Sequence, residues 1–432
     1  MNNKKLLLSL LTVGMTLGTA WAIRGQFGHE HGAAWAGSIG SIAILLIANR
    51  KDWFAKAFQI IISGAMGWGI GGVMSYGMVV GYGRDTEFVN VYYGLISLFV
   101  IGGLYGFIGG GLFGLSLSNS SKNPVSWPRL LVEMVVGAIL FYFFIIQQYE
   151  WLMTPPRDES WAGVLGMAAA LAWFMFRTKQ YSALRVALFA GLGGGFGFAF
   201  GNFLQVLGHV SEIKFNFWNV MEYSLGFFGG IGMAYGTFTS HWEDSTETQY
   251  SKQWFPMLML VLIIPITMWQ QNFRMDRLEK TITPLLTASD QAIELSVRWD
   301  SLLLILFAGI YWLNVHAKSK SLDYSDIKKF FIGHFGLYML LSILITGAFL
   351  STYRIEQYLY ILNFAIIIYL LSRAEEVVFE NQSLSWNTYA KNFGIVLAFI
   401  AVLAYIAASS HDEIKGSHKR FGEEIPLETP KP

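Results

Sequence analysis

Long apolar runs broken by short polar turns recur along most of the chain. A helix that crosses a membrane needs roughly 20 mostly apolar residues. The alternation predicts such helices near 5–23, 33–49, 57–80, 91–117, 130–148, 161–176, 184–207, 217–238, 254–270, 300–316, 329–350, 356–372 and 392–409, about 13 in all. Basic residues gather at alternate turns: Lys4 and Lys5; Arg50, Lys51 and Lys56; Lys122 and Arg129; Arg177, Lys179 and Arg185; Lys318, Lys320, Lys328 and Lys329. The short intervening turns carry one cation each, namely Arg24, Arg84, Arg157, Lys214 and Arg354. Cations favour the cytoplasmic side, so the expected N-terminus is cytoplasmic. An odd number of spans then puts the polar tail 411–432 outside. The basic start and apolar run of residues 1–22 look like a cleavable signal peptide, but the repeat below gives that span an interior counterpart and predicts its retention.

The glycines carry a second pattern. Ser97, Leu98, Gly102, Gly103 and Gly109 reappear 127 residues later as Ser224, Leu225, Gly229, Gly230 and Gly236. Gly64 and Gly67 fall on Gly191 and Gly194, Trp35–Gly37 on Trp161–Gly163, and Gly14 lies opposite Gly137. The expected fold class is therefore an all-α integral membrane protein with two tandem, parallel, glycine-rich repeats of four helices, 1–120 and 121–240. A bulkier C-terminal transmembrane region, 250–410, follows. Of 45 glycines, 38 precede residue 241, which marks that boundary. Gly102, Gly106, Gly110 and Gly114 fall at every fourth position, as do Gly193, Gly197 and Gly201. On a helix that spacing makes a smooth stripe for close packing, and the same stripe permits sliding or unwinding. The polar segment 271–298, amphipathic and broken by Pro284, reads as a surface helix, a cap on the core or a long ordered loop.

Composition narrows the class further. Of the 432 residues, 54% are hydrophobic and 14% charged, too few charges to coat a water-soluble surface. A net charge of +1 provides no basic footprint for nucleic acid. With no cysteine, thiol catalysis and Cys-ligated zinc are excluded. No cofactor or metal is expected, and no Walker A motif is present. The expected partners are the lipid bilayer and a small-molecule substrate, with a homo-oligomer left open.

Ionisable groups inside spans are costly and are candidates for function. Glu222 and Asn202 fall inside spans of the second repeat, while Glu133 sits four residues from Arg129 and reads as an interface pair. His334 and Asn363 read as helix–helix hydrogen-bonding groups. The turn after the first span holds Arg24, Gln26, His29, Glu30 and His31, with Trp35 just beyond. His29 and His31, two residues apart, do not share a helix face as a metal pair would. The equivalent turn of the second copy holds Arg157, Asp158, Glu159 and Trp161, and Arg84, Asp85 and Glu87 lie in a third. Each reads either as solvated loop with interfacial aromatics or as the rim of an entry vestibule.

The pattern resembles secondary transporters at the level of architecture only. The expected function is secondary active transport of a small polar solute (a sugar, sugar acid or other organic anion), coupled to protons or sodium across the inner membrane. Arg24, Gln26, Trp35, Arg157, Trp161, Asn202 and Glu222 are the expected substrate contacts. Glu222 with His29, Glu30 or His31 is the expected carrier of a coupling proton, histidine being the side chain that titrates near neutrality. The alternative is a membrane-embedded enzyme acting at the outer face, with His29 or His31 as base and Glu30 as acid.

Overall fold

The computed structural model describes residues 3–243, 252–286, 291–351, 354–374 and 379–422. The last ten residues of the predicted tail, part of the linker before 254 and residues 287–290 of the predicted amphipathic segment lie outside the described residues. In chain order the helices are α1 (Asn3–Arg24), α2 (Glu30–Ala48), α3 (Lys51–Phe54), α4 (Ala57–Gly71), α5 (Gly77–Tyr82), α6 (Phe88–Ser118), α7 (Trp127–Phe141), α8 (Trp161–Arg177), α9 (Tyr181–Val210) and α10 (Phe217–Thr239). They continue with α11 (Trp254–Leu258), α12 (Ile264–Asn272), α13 (Met275–Ile282), α14 (Gln291–Lys318), α15 (Tyr324–Thr346), α16 (Ile355–Arg373) and α17 (Trp386–Ser409). π-Helical turns extend α7 over Tyr142–Gln148 and join α11 to α12 over Met259–Ile263.

Each predicted span is helical, but among the described residues nine helices rather than 13 are long and apolar enough to cross a membrane. The chain is a helical membrane protein on that ground. Two of the shortfalls have a simple cause. α8 has only 17 residues. The span predicted over 57–80 is broken, because helix stops at Gly71 and resumes as α5 after an irregular stretch at 72–76.

Six helices close into a ring in the order α1, α2, α4, α6, α9, α10 and back to α1. Glycine makes the ring tight. A Cβ on Gly106 would overlap the carbonyl oxygen of Ala190, one on Gly193 that of Phe228, and one on Gly232 that of Phe189. Backbone therefore lies directly on backbone at the α6–α9 and α9–α10 contacts, the close approach that small residues allow in lipid. Gly226 does the same for α10 against Leu17 and Trp21 of α1.

The ring has no open bore. Trp68 of α4 projects inward, and a Cβ on Gly37, Gly109 or Gly229 would come within 2.7, 2.6 and 2.8 Å of it. These four positions lie 9–11 residues from the helix ends nearest Lys56, about 14–17 Å at 1.5 Å per residue. That is half of a hydrocarbon core of about 30 Å. Trp21 meets Trp68 edge-on at 5.0 Å and Tyr105 at 5.2 Å, so an aromatic layer fills the ring below the end of α1.

Residues 1–120 and 121–240, expected as two repeats, contribute unequally to the ring. The ring takes α1, α2, α4 and α6 from 1–120 and only α9 and α10 from 121–240. α7 and α8, the counterparts of α1 and α2, form a hairpin outside it, with α8 against α6 and α9. α7 exposes Leu131, Val132, Ile139 and Leu140, a bulky face suited to lipid. Its Gly137 packs on Gly166 of α8 rather than on the ring.

The C-terminal helices cover the remaining flanks, α12 and α15 against α2, α16 against α1, and α17 against α6 and α9. Within the predicted amphipathic segment, α13 buries Leu278 and Ile282. Arg277 Nη2 donates to the Gln26 carbonyl at 2.7 Å, so this segment caps the bundle end. After α17 the chain turns back as a strap. His418 N donates to Gly81 O at 3.1 Å, and the backbone N–H groups of Arg420 and Phe421 both reach Asn90 Oδ1, at 2.9 and 2.8 Å.

Overpacking a tight contact costs about 1–3 kcal/mol. Gly106→Ala is expected to destabilise the protein by that order. Gly336→Ala on α15, where a new methyl meets nothing within 4 Å, is expected to be neutral or slightly stabilising. Thermal unfolding of the two variants in detergent checks this, and equal midpoints would contradict the packing described.

Candidate functional site

At the end of the ring where α1 stops, its last residue turns inward. Arg24 is 1% exposed, although a lone cation there would be strongly disfavoured. Its charge is met by Glu222 of α10, which is 5% exposed. Arg24 Nη1 donates to both carboxylate oxygens of Glu222 at 3.1 Å. Tyr76 and Tyr105 complete the setting. Arg24 Nη1 reaches Tyr76 Oη at 3.0 Å, Nη2 reaches Tyr105 Oη at 3.1 Å, and Tyr76 Oη donates to Glu222 Oε1 at 2.7 Å. The guanidinium also lies over the Trp21 ring, 5.3 Å from its centroid, so the ion pair sits directly above the aromatic layer.

The break after α4 makes this network. Tyr76 belongs to the irregular stretch 72–76, and a Cβ on Gly72 would overlap the His29 carbonyl. The turn 25–29 therefore rests on the broken helix. Irregular backbone is tolerated at membrane depth where it lines a cavity or is covered by protein, and both conditions hold. A cavity of about 300 Å³ opens here, lined by Arg24, Gly25, Gln26, Gly28, His29, Tyr76, Asn216, Trp218, Asn219 and Glu222.

His29 sits at its edge. Arg24 Nη2 lies 2.9 Å from His29 Nδ1. A guanidinium only donates, so Nδ1 accepts and the ring proton is on Nε2. Desolvation by the groups packed on its inner edge, and the Arg24 charge second, push the imidazole below its ordinary range, although the residue's outer side is exposed. Two cavity groups have unspent hydrogen bonds, Arg24 Nε and Asn219 Nδ2, both buried without a partner.

Of the residues anticipated from sequence, Arg24, Gln26, His29 and Glu222 come together in this cavity. The others lie elsewhere. Trp35 is buried in α2 against His334 and Tyr338, with ring centroids 5.2 and 4.8 Å away. Asn202 donates to Val80 O at 3.3 Å beside α5. Arg157 is exposed, and Trp161 Nε1 donates to Glu159 at 2.6 Å in the turn before α8. Glu30 is exposed at the start of α2, and His31 Nδ1 pairs with Gln271 at 3.0 Å. Glu159, one of the acids that an outer-face enzyme would draw on, is taken up by the backbone N–H groups of Met153 and Thr154. Tyr76 and Tyr105 escape a sequence reading because both sit within apolar runs.

A second polar cavity, about 250 Å³, opens at the opposite end near Lys56, Lys122, Lys179 and His241. Lys56 is already committed there, donating to the carbonyls of Ser116, Leu117 and Asn119 at 2.6–3.0 Å. The chain matches no known protein family, no curated protein and no solved structure.

Removing one partner of a buried ion pair costs about 3–5 kcal/mol, because the other charge is left uncompensated. Arg24→Met and Glu222→Leu are each expected to destabilise by that order, and the double variant by clearly less than their sum. Denaturation of all four proteins in one detergent checks the coupling, and additive losses would deny it. His29 gives a pH signature. The unfolded chain takes up a proton that the folded imidazole resists, so stability is expected to fall as pH drops through about 6.5. His29→Gln should reduce that loss, measured as unfolding midpoint against pH.

Proposed function

We propose that this protein is a secondary active transporter of a small polar solute, with the Arg24–Glu222 cavity as its binding site. The observation that carries the reading is a buried ion pair beside a broken helix, directly above an aromatic layer that fills the ring. Broken helices at internal ion pairs are a recurrent way to build substrate and coupling sites in transporters. An intramembrane carboxylate and guanidinium are costly enough that function is the leading reason to keep them.

The proposed cycle uses the pair as its switch. With Glu222 ionised, Arg24 is held by both carboxylate oxygens. A proton delivered to Glu222 would remove that charge and release one guanidinium edge to the solute or to a new partner. The glycine-faced contacts of α9 with α6 and α10 provide surfaces along which helices could move without rotamer clashes. Opening toward the opposite end would require Trp68 and Trp21 to leave the ring centre. By the positive-inside rule the cavity faces outward, the N-terminus is cytoplasmic and the strap at 411–422 is external, in a cytoplasmic (inner) membrane.

The test is solute uptake by purified protein in liposomes under an imposed pH or sodium gradient. The wild type is expected to accumulate a polar solute against its gradient. Glu222→Gln keeps shape but cannot ionise, so it is expected to retain solute exchange while losing accumulation driven by protons. Accumulation unchanged in Glu222→Gln would remove the proposed switch, and uptake indifferent to both gradients would refute coupling.

A further inference from the structure

Which solute fits can be argued from charge and hydrogen-bond inventory, taking the transport reading as given. Among the described residues, the only cation lining the cavity is Arg24, and Glu222 neutralises it with both oxygens. Arg157, anticipated as a second attractor for anions, is exposed elsewhere. A carboxylate on this lining would face the Glu222 carboxylate and find the lining's cation already paired; Arg84 against Trp218, and Lys214 and Arg354 in an adjoining pocket that shares Asn216, lie off the lining.

The remaining polar groups are neutral. Gln26, Asn216 and Asn219 bring side-chain amides, and His29 brings the N–H that remains once Nδ1 accepts from Arg24. Asn219 is 6% exposed, and its Nδ2 has no partner. An unmade hydrogen bond on a buried amide is costly, and a ligand oxygen would satisfy it. Glu222 in turn presents acceptor oxygens toward the same space. Hydroxyl groups donate and accept at once, so a polyol can serve both sides of this array without adding charge.

Trp218 supplies the apolar contact. Its indole lines the cavity and is 42% exposed, while Arg84 stacks on it 5.3 Å from the ring centroid. Arg84 is outside the cavity lining. A rigid indole beside amides suits a molecule with hydroxylated edges and an apolar C–H face. At about 300 Å³ the cavity is at the small end for ligand sites, enough for one ring.

We infer that the cavity binds an uncharged, polyhydroxylated solute of single-ring size, a monosaccharide or cyclic polyol, in preference to a sugar acid or other organic anion. Asn219 and Trp218 are its specificity-determining contacts.

The experiment pairs neutral compounds with their acids. Purified full-length protein in detergent is titrated with aldohexoses, aldopentoses, 6-deoxyhexoses and cyclitols, and with the matching uronic and aldonic acids. Binding is read by tryptophan fluorescence and by the rise in unfolding midpoint that a native-state ligand produces. At least one neutral compound is expected to bind more tightly than its acid. Asn219→Ser and Trp218→Leu should each weaken it by about tenfold. Unliganded midpoints close to wild type would show that these variants are folded, and Asn219→Gln serves if Asn219→Ser is not. Tighter binding of the acids, or no response to any neutral compound at millimolar concentration, would overturn the inference. The same compounds in the liposome assay separate the two claims. A neutral sugar that binds but is never accumulated would sink the transport reading and leave the ligand class standing. Accumulation of the acid alone would do the reverse.

Discussion

A single buried charge organises one end of this protein. Arg24 ends α1 inside the bundle, where an unpaired guanidinium could not remain. Four partners from four other segments converge on it: Glu222 from α10, Tyr76 from the break after α4, Tyr105 from α6 and His29 from the turn before α2. Each demand constrains the chain elsewhere. α4 must stop early so that Tyr76 can face inward, and Gly72 must lack a side chain so that the 25–29 turn can settle on it. α10 must lie along α1 closely enough to bring Glu222 within reach, which Gly226 permits. The irregular backbone around the cavity is thus the geometric consequence of satisfying one cation.

Below that network the ring is held by contact rather than by polarity. Lipid tails are as apolar as leucine, so helices in a membrane gain little from hiding apolar surface and must gain from fit. Glycines on α6, α9 and α10 let backbones touch, and Trp68 occupies the centre that six helices would otherwise enclose. The two halves of the site therefore have different mechanical characters. The polar end is over-connected by directional bonds, and the aromatic layer is shape-locked but free of strong polar ties among its rings.

Much of this was legible in the sequence, for identifiable reasons. Apolar runs fixed where helices lie, because length and hydropathy are local properties. Glu222 and the 24–31 turn stood out because charge within apolar surroundings is rare. Their pairing was not legible, since Arg24 and Glu222 are 198 residues apart and nothing local links them. The break at 72–76 was hidden for a related reason. Residues 57–80 are almost uniformly apolar, and glycine there fits an intact packed helix as well as an interrupted one. The different placement of the segments 1–120 and 121–240 was not legible either: α7 carries Leu131, Val132 and Ile139 exposed, outside the ring that α1 helps to form. Trp35 and Trp161 share a motif and nevertheless serve different local purposes, one stacked in a core and the other tied to Glu159.

The strap that returns from α17 bears on the order in which the molecule is made. A chain emerges from the ribosome N-terminal end first, so α5 and α6 enter the membrane long before residues 414–421 exist. Until then Asn90 lacks the two backbone N–H groups it later accepts, and Gly81 lacks its partner His418. The end of the bundle nearest the cavity is consequently finished last, by some of the latest described residues to be synthesised. Assembly of this protein closes like a drawstring: the early helices wait as an incomplete collar, and the late segment ties it.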